Sequence, residues 1–110
     1  MARGDKAALP GGTATLVLAL LKEGEMYGYQ IIEELEKRSN QVFQLQEGTL
    51  YPILHSLEKA KLVTAREQET PAGRRRRYYR LTAAGLQALE EKEEEWQTFS
   101  RAVTAILAGA

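Results

Sequence analysis

Apolar residues recur at helical spacing in four stretches of this chain, and an arginine-rich hairpin pattern separates the third from the fourth. Leu16, Val17, Leu20 and Leu21 form the stripe of a first helix that begins at Gly12 or Thr13, runs to about Lys22 and ends at Gly24. A second helix is predicted over residues 27–39, with Ile31, Ile32 and Leu35 inward, Glu33, Glu34, Glu36 and Lys37 outward, and Asn40 as its stop. Residues 41–46 read as a connector with some strand character. In the third helix Leu50, Ile53, Leu54 and Leu57 face the core. Thr49 is its expected N-cap, which puts Pro52 in the first turn, where a missing N–H costs little. Residues 62–69 and 75–81 read as two strands joined by a Thr70-Pro71-Ala72-Gly73 turn. Thr82 then caps a long last helix reaching about Leu107, with Leu86, Leu89, Trp96, Phe99, Val103, Ile106 and Leu107 apolar. From position 96 onward the spacings are 3, 4 and 3, as in a coiled-coil seam. The fold class expected is mainly α with a small two-stranded antiparallel wing: a winged helix-turn-helix plus a long C-terminal helix.

A length of 110 residues bounds the chain to one structural domain with a modest core, which dimerisation would extend. Formal net charge is zero, but the charge is segregated. Between positions 61 and 80 seven cations face two anions, leaving +5, and between 90 and 95 five glutamates and one lysine leave −4. A local basic patch matters more for phosphate binding than the total. The absence of cysteine excludes disulfides, thiol catalysis and Cys-ligated metal, and fits a reducing compartment. The longest apolar run, residues 16–21, is far too short to span a bilayer, and the first residues carry no signal-peptide pattern. The expectation is a cytoplasmic protein with no membrane contact. His55 is the only histidine, so it has no partner for metal or triad chemistry. With no Gly-rich phosphate loop and no metal-ligand spacing, neither an enzyme nor a cofactor is expected.

A short helix beside a cationic hairpin is a shape that grips duplex DNA, the helix in a major groove and the hairpin flanking it. The outward side of the third helix offers Tyr51 for the DNA backbone, His55 and Ser56 for base edges or phosphate, and Lys59 for phosphate. Thr49 joins this face, in competition with its capping role. Arg74, Arg75, Arg76 and Arg77 lie at the hairpin tip for phosphate contact or entry into a minor groove. Strand alternation lets two or three of them face the duplex at once. Tyr78 and Tyr79 are expected on opposite wing faces, one packing under the sheet and Tyr78 meeting DNA. Tyr27 and Tyr29 are read as plugs at the junction of the first two helices. The seam residues Leu89, Trp96, Phe99, Val103, Ile106 and Leu107 call for a partner, most simply the same helix of a second chain. This divides the chain into a flexible arm (1–12), a winged DNA-binding domain (13–81) and a dimerisation helix (82–110). The rival class is a winged-helix adaptor whose arginines meet an acidic protein.

Three pieces of sequence carry a resemblance: Tyr27-Gly28-Tyr29, EGTLYPILHSLEKAKLV at 47–63, and GRRRRYYRLTAAG at 73–85. In combination the chain resembles the PadR-type bacterial transcriptional regulators, from about Thr13 to its end, in the compact branch with a single C-terminal helix. The resemblance implies a homodimeric repressor joined through the last helix, and two third helices so paired are expected to read a pseudopalindromic operator. It also implies control of its own or a neighbouring gene. Lys61 departs from the family pattern, which has glycine there, at a cost of about 1 kcal/mol for the left-handed backbone. Trp96, the sole tryptophan, has two compatible readings. It is a dimer anchor, or, by its match in motif order to relatives that hold flat drugs between paired tryptophans, a platform for a planar aromatic effector.

Overall fold

The computed structural model describes residues 12–109, so nearly all of the expected arm (1–12) lies outside the described residues. The chain forms α1 (Gly12–Lys22), β1 (Met26–Tyr27), α2 (Gly28–Arg38), α3 (Glu47–Lys59), β2 (Val63–Glu69), β3 (Arg75–Leu81) and α4 (Ala83–Leu107). The four helices and the hairpin are those the sequence predicts. The wing, however, is three-stranded, in the order β1-β3-β2. Met26 pairs with Tyr79 and Tyr27 with Tyr78, all antiparallel. Tyr27 therefore precedes α2 rather than opening it, and its N–H donates to Gln30 Oε1 at 3.0 Å.

Helix α3 starts at Glu47 behind an extended Gln46, two residues before the expected cap. The N–H groups of Thr49 and Leu50 both donate to the Gln46 carbonyl, so Thr49 sits inside the first turn and caps nothing. Both α2 and α3 end in the same way. The N–H of Leu62 donates to the Leu57 carbonyl and that of Lys61 to the Glu58 carbonyl, each at 2.9 Å, with Lys61 at φ +65°. This double bond pattern closes a helix around one left-handed residue, a position that favours glycine. At the end of α2, Gln41 donates to Glu36 and Asn40 to Lys37, with Asn40 at φ +52° and Gln41 at φ +69°. Those backbone angles bend the connector at 41–46, which forms no strand.

The core lies where α1, α2, α3, the start of α4 and the inner face of the sheet meet. Val17, Ile31, Leu50, Leu54, Val63, Tyr79 and Leu89 are all but inaccessible there. Each such side chain contributes about 1.5–3 kcal/mol by leaving water. Leu89 is thus spoken for within its own chain and is not available to the seam, contrary to expectation; α4 rests on the body only over its first turns before it departs. Beyond Leu89 no residue of α4 is buried, and Trp96, Phe99, Val103, Ile106 and Leu107 are exposed. At 25 residues the helix is about 37 Å long. It stretches the molecule to 57 × 28 × 26 Å.

The junction of wing and α4 is tightly built. Thr82 Oγ1 accepts from the Gly85 N–H at 2.9 Å and donates toward the carbonyls of Lys61 and Leu62 at 2.9 and 3.0 Å. The Thr82 N–H adds a bond to the Leu62 carbonyl. Gly85 is buried directly against that carbonyl, in space that a Cβ would occupy.

Candidate nucleic-acid interface

Three core-facing leucines, Leu50, Leu54 and Leu57, turn the opposite arc of α3 outward. That arc carries Thr49, Pro52, His55, Ser56 and Lys59, all exposed. Tyr51 lies at its edge and is half-buried, its hydroxyl packed over Gly28, the first residue of α2. Burial, then the nearby Glu47 carboxylate, holds the Tyr51 phenol above its ordinary pKa. Gly28 leaves the room for this ring because it has no Cβ.

Beside this arc stands the hairpin. The turn is closed by the Thr70 N–H to the Arg74 carbonyl at 2.7 Å, by Thr70 Oγ1 accepting from the Arg74 N–H, and by Gly73 at φ +85°. Its register sets Glu67 opposite Arg77 and Glu69 opposite Arg75. Strand alternation then splits the arginines. Arg75 and Arg77 share a face with buried Tyr79, and Arg76 shares the other with Tyr78.

Each face has its own partners. Arg75 Nη2 bonds Glu67 Oε1 at 2.7 Å, which holds the Glu67 carboxyl below the usual range. Arg77 Nη2 reaches across to Glu58 Oε2 on α3 at 2.7 Å, and its Nη1 lies 3.7 Å from Glu67. On the other face the Arg76 guanidinium stacks 4.2 Å from the Tyr27 ring centroid. The Tyr27 and Tyr78 rings meet edge to face at 5.4 Å, and Arg66 caps Tyr78 at 5.1 Å. Arg66 is itself gripped by Glu25 through two bonds of 2.8 and 2.7 Å. Its hydrogen bonds hold the Glu25 carboxyl below the usual range. Arg74, at the tip, makes none of these side-chain contacts and is exposed.

The fold thus brings the exposed arc of α3 and the wing arginines to neighbouring positions. It places Tyr78 inside an aromatic and cationic stack rather than free at the surface, and Tyr27 anchors the sheet while Tyr29 is exposed rather than packed. Trp96 lies apart from this interface, 5.8 Å from the Phe99 ring on the unburied length of α4. Sequence reasoning misses Glu58 and Glu67 as the groups that position Arg75 and Arg77, and the Glu25–Arg66 pair that caps Tyr78. Counting back across the Thr70-Gly73 turn gives the Glu67–Arg77 pairing, so one of these is within reach of a register argument. Among the described residues, no group of histidines and carboxylates is placed to hold a metal. No described helix is long and apolar enough to cross a membrane.

Three helices, a β-hairpin wing and an exposed third helix define a winged helix-turn-helix protein. A model of the transcriptional regulator PadR-like family matches residues 17–91. The chain belongs to that family, a family of regulators rather than enzymes. It is 37% identical over 81 residues to a transcriptional regulator of Mycobacterium tuberculosis, covering 74% of this chain and 72% of that protein. Among solved structures, a PadR-like transcriptional regulator of Bacillus cereus superposes with a TM-score of 0.79 at 31% identity, covering 91% of this chain and 95% of that one. PadR of Bacillus subtilis, solved in complex with operator DNA, gives a TM-score of 0.67 at 26% identity, covering 72% of this chain and 45% of that one.

Proposed function

We propose that this chain works as a homodimeric repressor of transcription that binds a pseudopalindromic operator in double-stranded DNA. The observation that carries the reading is the exposed arc of α3 lying beside the arginine-bearing wing, whose Arg77 reaches Glu58 of that helix. In a dimer joined by the apolar length of α4, two α3 helices would enter successive major grooves about 34–36 Å apart. His55, Ser56 and Lys59 meet bases and phosphates, Thr49 lies over the helix start, and the wings hold flanking phosphates. Binding of operator DNA by the Bacillus subtilis relative supports the choice of DNA as partner.

A footprint on DNA upstream of the chain's own gene tests the reading, with Arg74→Ala/Arg76→Ala as the variant. The variant is expected to bind at least 10-fold more weakly in about 0.1 M salt, and its slope of log affinity on log salt should flatten by about 0.9 for each phosphate that is no longer neutralised. Unchanged affinity and slope would remove the wing from the interface, and binding to acidic protein without protection of any DNA would replace this function.

The effector belongs to the same proposal. Trp96 and Phe99 form a half-exposed aromatic ledge on the seam, the surface a planar aromatic compound would use. Titration with planar aromatic cations should quench Trp96 emission and weaken DNA binding together. Emission that stays constant across such a panel would leave a constitutive regulator.

A further inference from the structure

We infer that Glu58 is a specificity-determining residue, which withholds Arg77 from phosphates on DNA of arbitrary sequence and keeps the wing in fixed register with the reading helix. The inference rests on the DNA-binding reading above. Glu58 follows His55 by three positions and so borders the exposed arc of α3 on its hairpin side. Its carboxylate takes Arg77 at 2.7 Å, Arg77 leans on Glu67 at 3.7 Å, and Glu67 holds Arg75 at 2.7 Å. Two carboxylates thus face two guanidiniums, a neutral chain running from α3 into the wing. The wing is therefore far less cationic on its α3 side than its run of four arginines implies. The pair is half-exposed, so no buried group requires an acid at position 58.

An arginine free to reach any phosphate strengthens binding to every sequence, because phosphate contacts carry no sequence information. An arginine held in one pose strengthens binding only where a phosphate comes to it. That happens when α3 is seated on its matched bases. Withholding Arg77 therefore lowers affinity for unmatched DNA while leaving the seated complex nearly intact.

The test compares Glu58→Gln with wild type on two duplexes, one selected by the intact protein from a random pool and one of scrambled sequence. Glu58→Gln is expected to raise affinity for the scrambled duplex about 3–10-fold and to steepen its salt slope by about 0.9 per arginine released. Affinity for the selected duplex should change less than twofold. Glu91→Gln, on the exposed side of α4, changes the net charge equally and controls for bulk electrostatics. In an Arg77→Ala background Glu58→Gln should do no more than Glu91→Gln. Equal effects of Glu58→Gln and Glu91→Gln, an effect that survives Arg77→Ala, or parallel gains on both duplexes would each overturn the inference. A wild-type protein that selects no sequence from the pool would bring down the DNA-binding reading itself, an outcome distinct from these.

Discussion

Gly85→Ala lowers the unfolding free energy by about 2–4 kcal/mol, because the added methyl meets the Leu62 carbonyl and the Leu81 side chain. The carbonyl cannot step aside cheaply. It accepts from both the N–H and the hydroxyl of Thr82, and that hydroxyl in turn accepts from the Gly85 N–H. Overpacking alone costs about 1–3 kcal/mol, and loosening the cap adds about 0.5–2 kcal/mol. The shift is read from the urea midpoint of the purified protein. Gly48→Ala is the matched control, since a Cβ there meets nothing and removes a flexible residue from a helix. That variant should be neutral or slightly stabilised. A Gly85→Ala protein within about 1 kcal/mol of wild type, the low end for overpacking, would mean that the junction yields and that α4 is not fixed to the wing in the way described.

Phe99→Glu combined with Val103→Glu should convert the protein to a monomer and weaken operator binding by a factor of about 100 or more. Both side chains are exposed on the single chain, so its own core is untouched. Paired against a second α4 they would bury unpaired carboxylates, which costs several kcal/mol. Losing the partner removes the gain that comes from tethering two half-site contacts, typically a factor of about 10²–10⁴. Sedimentation gives the oligomeric state and fluorescence anisotropy the affinity. Helical circular dichroism should be retained near the wild-type value. A doubly substituted protein that still sediments as a dimer would exclude the Trp96-to-Leu107 face as its contact.

Helices α1 to α4 are legible in the sequence because their apolar residues repeat at the helical period, and the hairpin because Pro71 and Gly73 interrupt two β-rich runs. What escapes is set by contacts between distant positions. Strand β1 is two residues long, too short to display any alternation, and exists because Met26 and Tyr27 find the free edge of β3. The start of α3 is misplaced because Gln46 is not a recognisable cap and Gly48 looks like a breaker, so the pattern points to Thr49. Leu89 and Phe99 fall on one continuous stripe, and periodicity alone gives no sign that the first belongs to the chain's own core while the second stays exposed. The arginine cluster is visible as charge, but its neutralisation is not. Glu58 lies 19 positions from Arg77, and only the packing of α3 against the wing brings them together. Gly85 reads in sequence as a weak helix former and reveals its purpose only beside Leu62.

Because Thr82 and Gly85 clamp the base of α4 to the peptide that begins the hairpin, the helix acts as a lever whose fulcrum is the wing's root. A tilt of about 5° at that pivot displaces the far tip by roughly 3 Å. In the proposed dimer, a spacer of that thickness parting two such shafts would re-aim both hairpins.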